Sequence, residues 1–447
     1  MRGAARNLLA ELRGPNPRHE PDYWLLATVL TLVMFGTVMV FSASFAIGVQ
    51  QANGDGYYYL KRQVVWASIG LLGLLVASQI DFHFWRRFSV LGMVVIAILL
   101  AAVVFVPGLG SGGETWGANR WIPLGPLAFQ PSEVAKLALV IYLADWLGQK
   151  GDRIRQVTYG LIPFGLMLGV IILLVMKEPD LGTSTLLAAI GISVFLVAGA
   201  SLIQFGALIS AGLAVFMALA LSASYRRARI LIFLHPDADP RNLGWQLGQA
   251  RLGLGSGGIF GLGLGASRQK FSWLPEAHTD AIFAVIGEEL GLVGCVFVLL
   301  LFAALAWRGY RIAIKAPDTF GTLIGVGIVT WMIFQAAINI GGITLTIPFT
   351  GIPLPFISYG GTSLAVSLTA IGILLNISRQ TVDRPQPAPE PAAAPVHHRS
   401  VRAATARRVE PRPVSRRAPA AARDPVRTVD GRAQSRGGSF GRSRRRR

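Results

Sequence analysis

The sequence predicts an all-α polytopic membrane protein with about ten transmembrane helices. Of its 447 residues, 52% are hydrophobic and only 15% are charged, whereas a soluble domain carries about 25% charged residues. The missing charge is concentrated in long apolar runs. Each run is long enough to cross, or nearly cross, a hydrocarbon core of about 30 Å at a helical rise of about 1.5 Å per residue.

The first apolar run, 23–45, is free of charge and too long for the core of a signal peptide, so we expect it to remain as the first helix. Nine further runs follow along the chain. They cover residues 64–79, 88–106, 129–147, 159–176, 181–197, 203–221, 280–307, 320–338 and 361–377. The chain therefore divides into a basic N-terminal segment (1–22), a ten-helix membrane domain (23–379) and a tail (380–447).

The Lys and Arg residues of the short loops predict the orientation, because such residues are enriched on the cytoplasmic side. They cluster in segment 1–22 and in the loops at 80–87, 148–158 and 308–318, which share one side of a ten-helix arrangement. Both termini are therefore expected in the cytoplasm. The loops expected outside are 46–63, 107–128, 222–279 and 339–360. Loop 222–279 holds seven Lys or Arg residues, which is against this charge rule, but loops of about 60 residues escape the rule.

The tail differs in composition from the rest of the chain. Residues 381–447 hold 17 Arg and five acidic residues and are rich in Ala and Pro. Such a segment cannot bury enough apolar surface to fold, so we predict that it is disordered. Its arginines could bind anionic lipid headgroups or an acidic cytoplasmic protein, or could only reinforce the orientation. We expect no nucleic-acid partner.

Several classes of protein find no support in the sequence. Cys295 is the only cysteine, which excludes an intramolecular disulfide and indicates a buried thiol. The sequence has no Walker motif, no Gly-x-Ser-x-Gly motif and no histidine-rich cluster, which argues against an ATPase or a serine hydrolase. Internal repeats are also missing, so a transporter built from symmetric halves is not supported.

Loop 222–279 is the first candidate for chemistry. Its glycine-rich stretch, 253–265, is followed by Arg268 and Lys270, and backbone amides beside cations suit a phosphate or pyrophosphate. A flexible connector or a re-entrant segment would explain the same glycines. His278 is the one histidine beside this region. Further cations, whose roles the sequence leaves open, are Arg226, Arg227 and Arg229.

The helix that follows this loop begins with candidate functional residues. Thr279 is placed to cap the helix, which would put Asp280 at its N-terminus. The helix dipole stabilises that carboxylate, while partial desolvation raises its pKa, so Asp280 could accept a proton or bind a divalent metal. A simple capping residue is the alternative. Glu288 and Glu289 lie two turns further on, where they are either functional or neutralised groups that fix helix packing.

Charged residues within other apolar runs are costly and often functional. Glu133 and Lys136 are three residues apart, on one helical face, where they can pair. Glu178 and Asp180 lie at a predicted helix junction on the outer side. A neutralised pair that only fixes packing is the alternative for each.

The last outer loop carries Asn339 near its start and Pro353-Leu354-Pro355-Phe356-Ile357-Ser358-Tyr359-Gly360-Gly361-Thr362-Ser363 at its end. Prolines and glycines at membrane depth are tolerated where the backbone lines a polar cavity. We therefore expect Ser358 and Tyr359 to form a further wall of an outer site, although a rigid turn is the alternative.

Together these motifs resemble the SEDS family (shape, elongation, division and sporulation proteins) over roughly residues 20–380. Four segments carry the resemblance: Ala118-Asn119-Arg120-Trp121-Ile122 running to Phe129-Gln130-Pro131-Ser132-Glu133; Glu178–Thr183; Leu274–Asp280 continuing through Ile286–Gly291; and Pro353–Ser363. The sequences Pro275–His278 and Ile286–Glu289 look more like the division branch than the elongation branch. One departure is Ala281, where the family commonly has Phe.

The resemblance implies a ten-helix fold and a glycosyltransferase that polymerises lipid II, a disaccharide-pentapeptide on undecaprenyl pyrophosphate. It implies that Asp280 is the catalytic base and that Glu133 and Lys136 form the polar pair of a central cavity. Mg²⁺ or Mn²⁺ is the expected cofactor. The expected partners are a class B penicillin-binding transpeptidase and other division proteins, in the inner membrane at the septum. A lipid II flippase, a non-catalytic division scaffold and an elongation polymerase are the alternatives.

The sequence and the resemblance together give ten residues expected at the substrate site besides Asp280. They are Arg120, Glu133, Lys136, Glu178, Asp180, Arg268, Lys270, His278, Ser358 and Tyr359.

Overall fold

The structure, a computed structural model, describes residues 19–106, 108–111, 120–125, 127–222, 224–235, 243–271 and 273–382. This part of the chain is almost entirely helical. Its only strands are β1 (Ile122–Leu124) and β2 (Leu127–Phe129), an antiparallel pair in which Ile122 lies opposite Phe129. Most of the basic N-terminal segment and the Arg-rich tail beyond residue 382 lie outside the described residues, so the predictions made for them stay predictions.

Each of the ten predicted apolar runs corresponds to a helix. In chain order they are α1 (Tyr23–Gln51), α2 (Tyr58–Gln79), α4 (Ser89–Phe105), α5 (Pro131–Gly148), α6 (Ile162–Lys177), α7 (Leu181–Val197), α8 (Leu202–Ser222), α11 (Ile282–Ile314), α12 (Thr319–Ile343) and α13 (Gly361–Ser378). Within the described residues, six helices are long and apolar enough to cross a membrane, and three more are shorter apolar helices. The remaining one, α5, carries Glu133, Lys136 and Asp145. The predicted all-α polytopic membrane fold is confirmed.

In the part of the chain that the structure describes, three short α-helices lie between these ten. Helix α3 (Phe82–Arg86) follows α2, and helices α9 (Ser224–Leu234) and α10 (Leu243–Ser256) belong to the long loop before α11. Before α6, residues Gly151–Arg155 form a 3₁₀ helix and Val157–Leu161 a π-helical turn. The long loop is therefore not a plain connector, since part of its glycine-rich stretch is helical.

Helix α12 is the centre of the bundle. Its residues are buried along most of its length, including Trp331 and Met332, and it contacts α11, α7 and α5. Helix α13 is also buried and packs along α2, where Gly70 faces Leu368. Small residues let helices approach closely where lipid provides no hydrophobic drive for their association. Helix α12 is thus enclosed by neighbouring helices, which fix its position in the bundle.

One end of the bundle brings the two ends of the described chain together. The guanidinium of Arg308 pairs with Asp22 (Nη2–Oδ2 2.5 Å), and the backbone N–H of His19 donates to the carbonyl of Arg379 (2.7 Å). His83 of α3 lies between Asp81 and Asp318 at the same end. The basic residues predicted that these segments lie on one side of the protein. That this side faces the cytoplasm stays a prediction.

Helix α11 differs from the prediction in two respects. It begins at Ile282 with Ala281 as the residue before it, so the predicted capping role of Thr279 is wrong. The Thr279 hydroxyl instead donates to Glu276 (Oε2, 2.8 Å), within a turn that delays the start of the helix. The helix is also broken at Gly291, whose φ of 66° and ψ of −161° are not helical. Two buried helical turns, 282–290, therefore form a separate unit between Asp280 and the break.

Candidate active site

A cavity of about 410 Å³ lies at the opposite end of the bundle. Residues from all four loops that the sequence placed outside line it, as does the first turn of α5, which places these loops on one side of the protein. Five of the residues expected at the site reach the cavity. They are Arg120, Glu133, Asp180, Asp280 and Tyr359.

Asp280 is the carboxyl group best placed for proton transfer. Its side chain is accessible from the cavity and otherwise surrounded by protein, and this burial raises its pKa to about 7, with the nearby Glu276 carboxylate acting in the same direction. Arg229 and the Thr279 hydroxyl lower the pKa and only partly offset the burial. The backbone carbonyl of Asp280 accepts a hydrogen bond from Asn339 of α12 (2.8 Å), which fixes the main chain. Asp280 can therefore accept or release a proton near neutral pH.

Glu133 and Lys136 form a buried ion pair beneath the cavity. The Lys136 Nζ atom lies 2.7 Å from Glu133 Oε2 and donates to Gln335 Oε1 (3.0 Å), and it lies 5.0 Å from the ring of Trp331. Trp331 Nε1 donates to the same Gln335 oxygen (2.7 Å). Glu133 lines the cavity, whereas Lys136 is fully buried behind it. The predicted pairing is present, and only its acidic member can meet a ligand directly.

The junction between α6 and α7 is held by Arg120. Its guanidinium donates from Nε to the carbonyl of Glu178 (2.7 Å) and from Nη2 to that of Pro179 (2.9 Å). Asp180 caps α7 by accepting from the N–H and the hydroxyl of Thr183, both at 2.9 Å. Glu178 is buried outside the cavity lining, and burial together with Asp180 raises its pKa to about 8. With this pKa, the Glu178 carboxyl group is mostly protonated and neutral at pH 7.

The remaining wall is aromatic. His278 is buried, with its ring centroid 4.4 Å from that of Tyr59 and 5.4 Å from that of Tyr359, and burial lowers its pKa. The N–H of Tyr359 donates to the carbonyl of His278 (2.8 Å), which joins the two loops. Ser358 is buried and accepts from the N–H of Leu354 (2.7 Å). His278 and Ser358 therefore support the wall from behind, and Tyr359 is the residue of the three that lines the cavity.

Two predicted residues lie elsewhere. The Arg268 side chain is exposed, and Lys270 is buried in an ion pair with Glu289 (2.9 Å); neither lines the cavity. Two other cations do line it, Arg62 of α2 and Arg229 of α9. Arg229 belongs to the basic cluster that opens the long loop, and Arg62 lies at the outer end of a predicted span. A cation close to the outer end of a helix was therefore the sequence feature that could have indicated both residues.

Further cavity residues were not among the predicted site residues, although Trp121 and Glu276 stand in the motifs that carry the family resemblance. Trp66, Trp121 and Glu276 line it together with the predicted residues. The two tryptophans add aromatic faces of the kind that pack against sugar rings, and Glu276 adds a second carboxyl group near Asp280. Their convergence depends on how the loops fold together, which local sequence does not reveal.

The fold and the site define a multi-pass membrane protein with a cavity that gathers carboxyl groups, arginines and aromatic rings at one end of a helical bundle. The chain belongs to the FtsW, RodA and SpoVE family, whose family model, described as "Cell cycle protein", matches residues 23–383. The SEDS resemblance drawn from the motifs is confirmed by this match.

Curated relatives cover nearly the same region. The "Probable peptidoglycan glycosyltransferase FtsW" of Trichlorobacter lovleyi is 42% identical over 371 residues, which is 83% of this chain and 96% of that protein. "Stage V sporulation protein E" of Bacillus subtilis is 43% identical over 362 residues, which is 80% of this chain and 97% of that protein.

Solved structures show the same fold. The rod shape determining protein RodA of Thermus thermophilus has a TM-score of 0.60 at 28% identity and covers 81% of this chain and 98% of its own. A structure described as "Structural coordination of polymerization and crosslinking by a peptidoglycan synthase complex" has a TM-score of 0.64 at 28% identity, over 80% of this chain and 98% of its own.

Proposed function

We propose that this protein is a peptidoglycan glycosyltransferase that polymerises lipid II into glycan strands during septal cell-wall synthesis. The observation that carries the proposal is Asp280, a carboxyl group with a pKa of about 7 that faces a cavity lined by Arg62 and Arg229. The name that curated relatives carry, "Probable peptidoglycan glycosyltransferase FtsW", supports the same assignment.

The reaction needs one proton acceptor and one stabilised leaving group. Asp280 takes the proton from the 4-hydroxyl group of the acceptor sugar, and that oxygen attacks the anomeric carbon of the growing strand. The new O4–C1 bond forms as the bond between C1 and the phosphate oxygen breaks. Its electron pair leaves with undecaprenyl pyrophosphate, and the anomeric configuration inverts because the displacement is single. The proton on Asp280 then passes to solvent.

The leaving pyrophosphate needs positive charge, and the cavity supplies it through Arg62 and Arg229. The Nη1 atom of Arg229 donates to the carbonyl of Thr350 (2.9 Å), which orients a guanidinium that also lowers the pKa of Asp280. Oriented guanidinium groups suit phosphate oxygens and require little rearrangement as charge develops. These two residues replace Arg268 and Lys270 as our candidates for this role.

A divalent cation, Mg²⁺ or Mn²⁺, remains part of the proposal. Within the described residues, no group of three or more His, Cys, Asp or Glu side chains could hold a metal ion. Glu276 nevertheless lies near Asp280 on the cavity wall. Magnesium is often bound by one or two carboxylates together with substrate phosphates, so these residues fit such an ion in the presence of substrate. When bound, it would neutralise negative charge on the pyrophosphate.

The cellular setting is proposed on the same basis. We expect both termini in the cytoplasm, a location at the division septum, and a class B penicillin-binding transpeptidase among several division partners. The basic side of the bundle supports this orientation. The related peptidoglycan synthase complex, described as coordinating polymerization and crosslinking, supports a crosslinking partner.

A gel assay of lipid II polymerisation with purified protein, alone and with its cognate transpeptidase, tests the function. Asp280→Asn should abolish polymer formation while leaving the elution profile and helix content unchanged. Asp55→Asn is a matched control, because Asp55 is an acid beside α2 that pairs with Lys61 (2.8 Å) and does not line the cavity. Normal polymerisation by Asp280→Asn refutes the assignment. Transfer of labelled lipid II across vesicles by protein that forms no polymer would favour a flippase.

A further inference from the structure

The break in α11 lies between the candidate base and the rest of its helix. Gly291 interrupts the helix, so the carbonyl groups before it and the N–H groups after it lose their usual helical partners. A backbone group left without a partner in a membrane domain is costly. The position of the two turns that follow Asp280 therefore depends on whatever replaces these lost contacts.

The glycine-rich stretch of the long loop supplies the replacements. The N–H groups of Leu262 and Gly263 donate to the carbonyls of Glu288 (2.9 Å) and Glu289 (3.0 Å). In the other direction, the N–H groups of Leu292 and Val293 donate to the carbonyls of Gly258 (2.9 Å) and Ile259 (3.1 Å). The loop thus crosses the break in the helix, and its backbone forms the hydrogen bonds that the helix lacks there.

Glycines on both sides make this crossing possible. A Cβ atom on Gly257 would collide with the carbonyl of Gly287, and one on Gly261 would collide with Glu289. Gly261 also has a φ of 80°, a conformation that residues with a Cβ atom rarely adopt. The glycines in this stretch therefore serve a close approach of two backbone segments.

Two buried glutamates lock the crossing with their side chains. Glu288 accepts from the Ser267 hydroxyl (2.5 Å) and from the backbone N–H of Arg268 (2.9 Å). Glu289 accepts from Lys270 Nζ (2.9 Å) and from the Ser42 hydroxyl of α1 (2.7 Å). Both carboxylates are at most 1% exposed. We call these contacts of residues 267–270 with Glu288, Glu289 and Ser42 the clasp.

We infer that the clasp positions Asp280, and that Lys270 and Glu289 are positioning residues rather than substrate ligands. The unit that the clasp holds, 282–290, has every residue from Ile282 to Glu289 buried and begins two residues after Asp280. Its far end is fixed by the clasp, and its near end by the hydrogen bond from Asn339 to the Asp280 carbonyl. This inference deepens the proposed function and rests on it.

Steady-state polymerisation kinetics on the purified complex test the inference through Lys270→Met, Glu289→Gln and the double variant. Displacement of a reacting group by about 1 Å can cost about a hundredfold in rate. We expect a smaller displacement in each single variant, which should lower kcat by about tenfold or more and leave KM for lipid II unchanged. The double variant should lose no more than either single, because the residues act as one unit. Lys270→Arg should retain most of the activity, and Arg251→Met, which removes an exposed cation from α10, should match wild type.

The single cysteine gives a readout that does not depend on activity. Cys295 is buried just after the break and lies beside Gly287 of the held unit. We expect N-ethylmaleimide to label it faster in Lys270→Met and Glu289→Gln than in wild type or Arg251→Met, in folded protein of normal elution profile.

Three outcomes would overturn the inference. One is a raised KM in Lys270→Met with wild-type kinetics in Glu289→Gln, which would make Lys270 a substrate ligand. Another is wild-type kcat in both single variants. A third is wild-type labelling of Cys295 in both. The proposed function fails separately, when Asp280→Asn polymerises normally; an inactive Asp280→Asn with fully active clasp variants would overturn the positioning role alone.

Discussion

The buried pair of Glu133 and Lys136 allows a prediction of stability that can be worked from its geometry. At the 2.7 Å that separates Nζ from Oε2, an effective dielectric constant of about 20 gives an attraction of about 6 kcal/mol. Desolvation of the two buried ions offsets much of this attraction. The pair as a whole therefore adds little net stability, while each ion alone would be strongly unfavourable.

Replacement of Lys136 by Met leaves the Glu133 carboxylate without its cation. Loss of one partner of a buried pair costs about 3–5 kcal/mol, and we expect the lower end, about 3 kcal/mol, because Glu133 can draw water from the cavity. The double variant Glu133→Gln/Lys136→Met removes both charges and should regain most of this loss. Reversible unfolding in mixed micelles, followed by circular dichroism as sodium dodecyl sulfate is titrated, measures the difference.

Two results would refute this reasoning. Lys136→Met could unfold at the wild-type midpoint, which would mean that the Glu133 carboxylate is already solvated. The double variant could unfold as early as the single one, which would mean that the Gln335 and Trp331 contacts of Lys136, rather than its charge, stabilise the helix packing. Polymerisation by the double variant is expected to stay low in either case, because Glu133 faces the cavity.

Three further predictions concern other parts of the molecule. His83 forms hydrogen bonds with Asp318 (2.9 Å) and Asp81 (2.7 Å), which raise its pKa from 6.5 to about 9. The stabilisation that His83 provides should therefore be complete below about pH 6.5 and lost as the pH rises through about 9. Over that range, the difference in thermal midpoint between wild type and His83→Gln should shrink. Gly261→Ala should lower the thermal midpoint by several degrees, because Gly261 has a φ of 80° and an added Cβ atom would collide with the α11 backbone. Gly255→Ala, whose Cβ atom would lie in open space, should leave the midpoint unchanged. Arg229→Gln should raise KM or lower kcat for lipid II polymerisation about tenfold or more, whereas a wild-type rate would remove Arg229 from the pyrophosphate role.

Most of the fold could be predicted because the length of an apolar run is a local property of the sequence. All ten runs became helices, and Cys295 is buried as expected. The capping role of Thr279 was wrong for a reason that lies outside the local pattern. Glu276 adopts a φ of 51° and begins a turn that Thr279 closes, so the helix starts at Ile282.

The cations of the site illustrate what adjacency in sequence cannot decide. Arg268 and Lys270 follow the glycine-rich stretch directly, which made them candidates for an anion site. Lys270 is instead paired with Glu289, 19 residues away, and no local pattern specifies that pairing. Arg62 and Arg229 reach the cavity from two separate helices, so their convergence depends on the packing of the whole bundle.

The two buried glutamates that pair with lysines therefore differ in function, and their surroundings rather than the local sequence distinguish them. Glu133 and Glu289 are both buried, and each is paired with a lysine at less than 3 Å. Glu133 nevertheless borders an open cavity, so its pair can respond to a ligand. Glu289 is enclosed by α1 and the glycine-rich crossing, so its pair can only hold backbone in place. A charge within an apolar run indicates that a polar interior exists, and the nearest cavity determines whether that interior serves chemistry or the support of the residue that performs it.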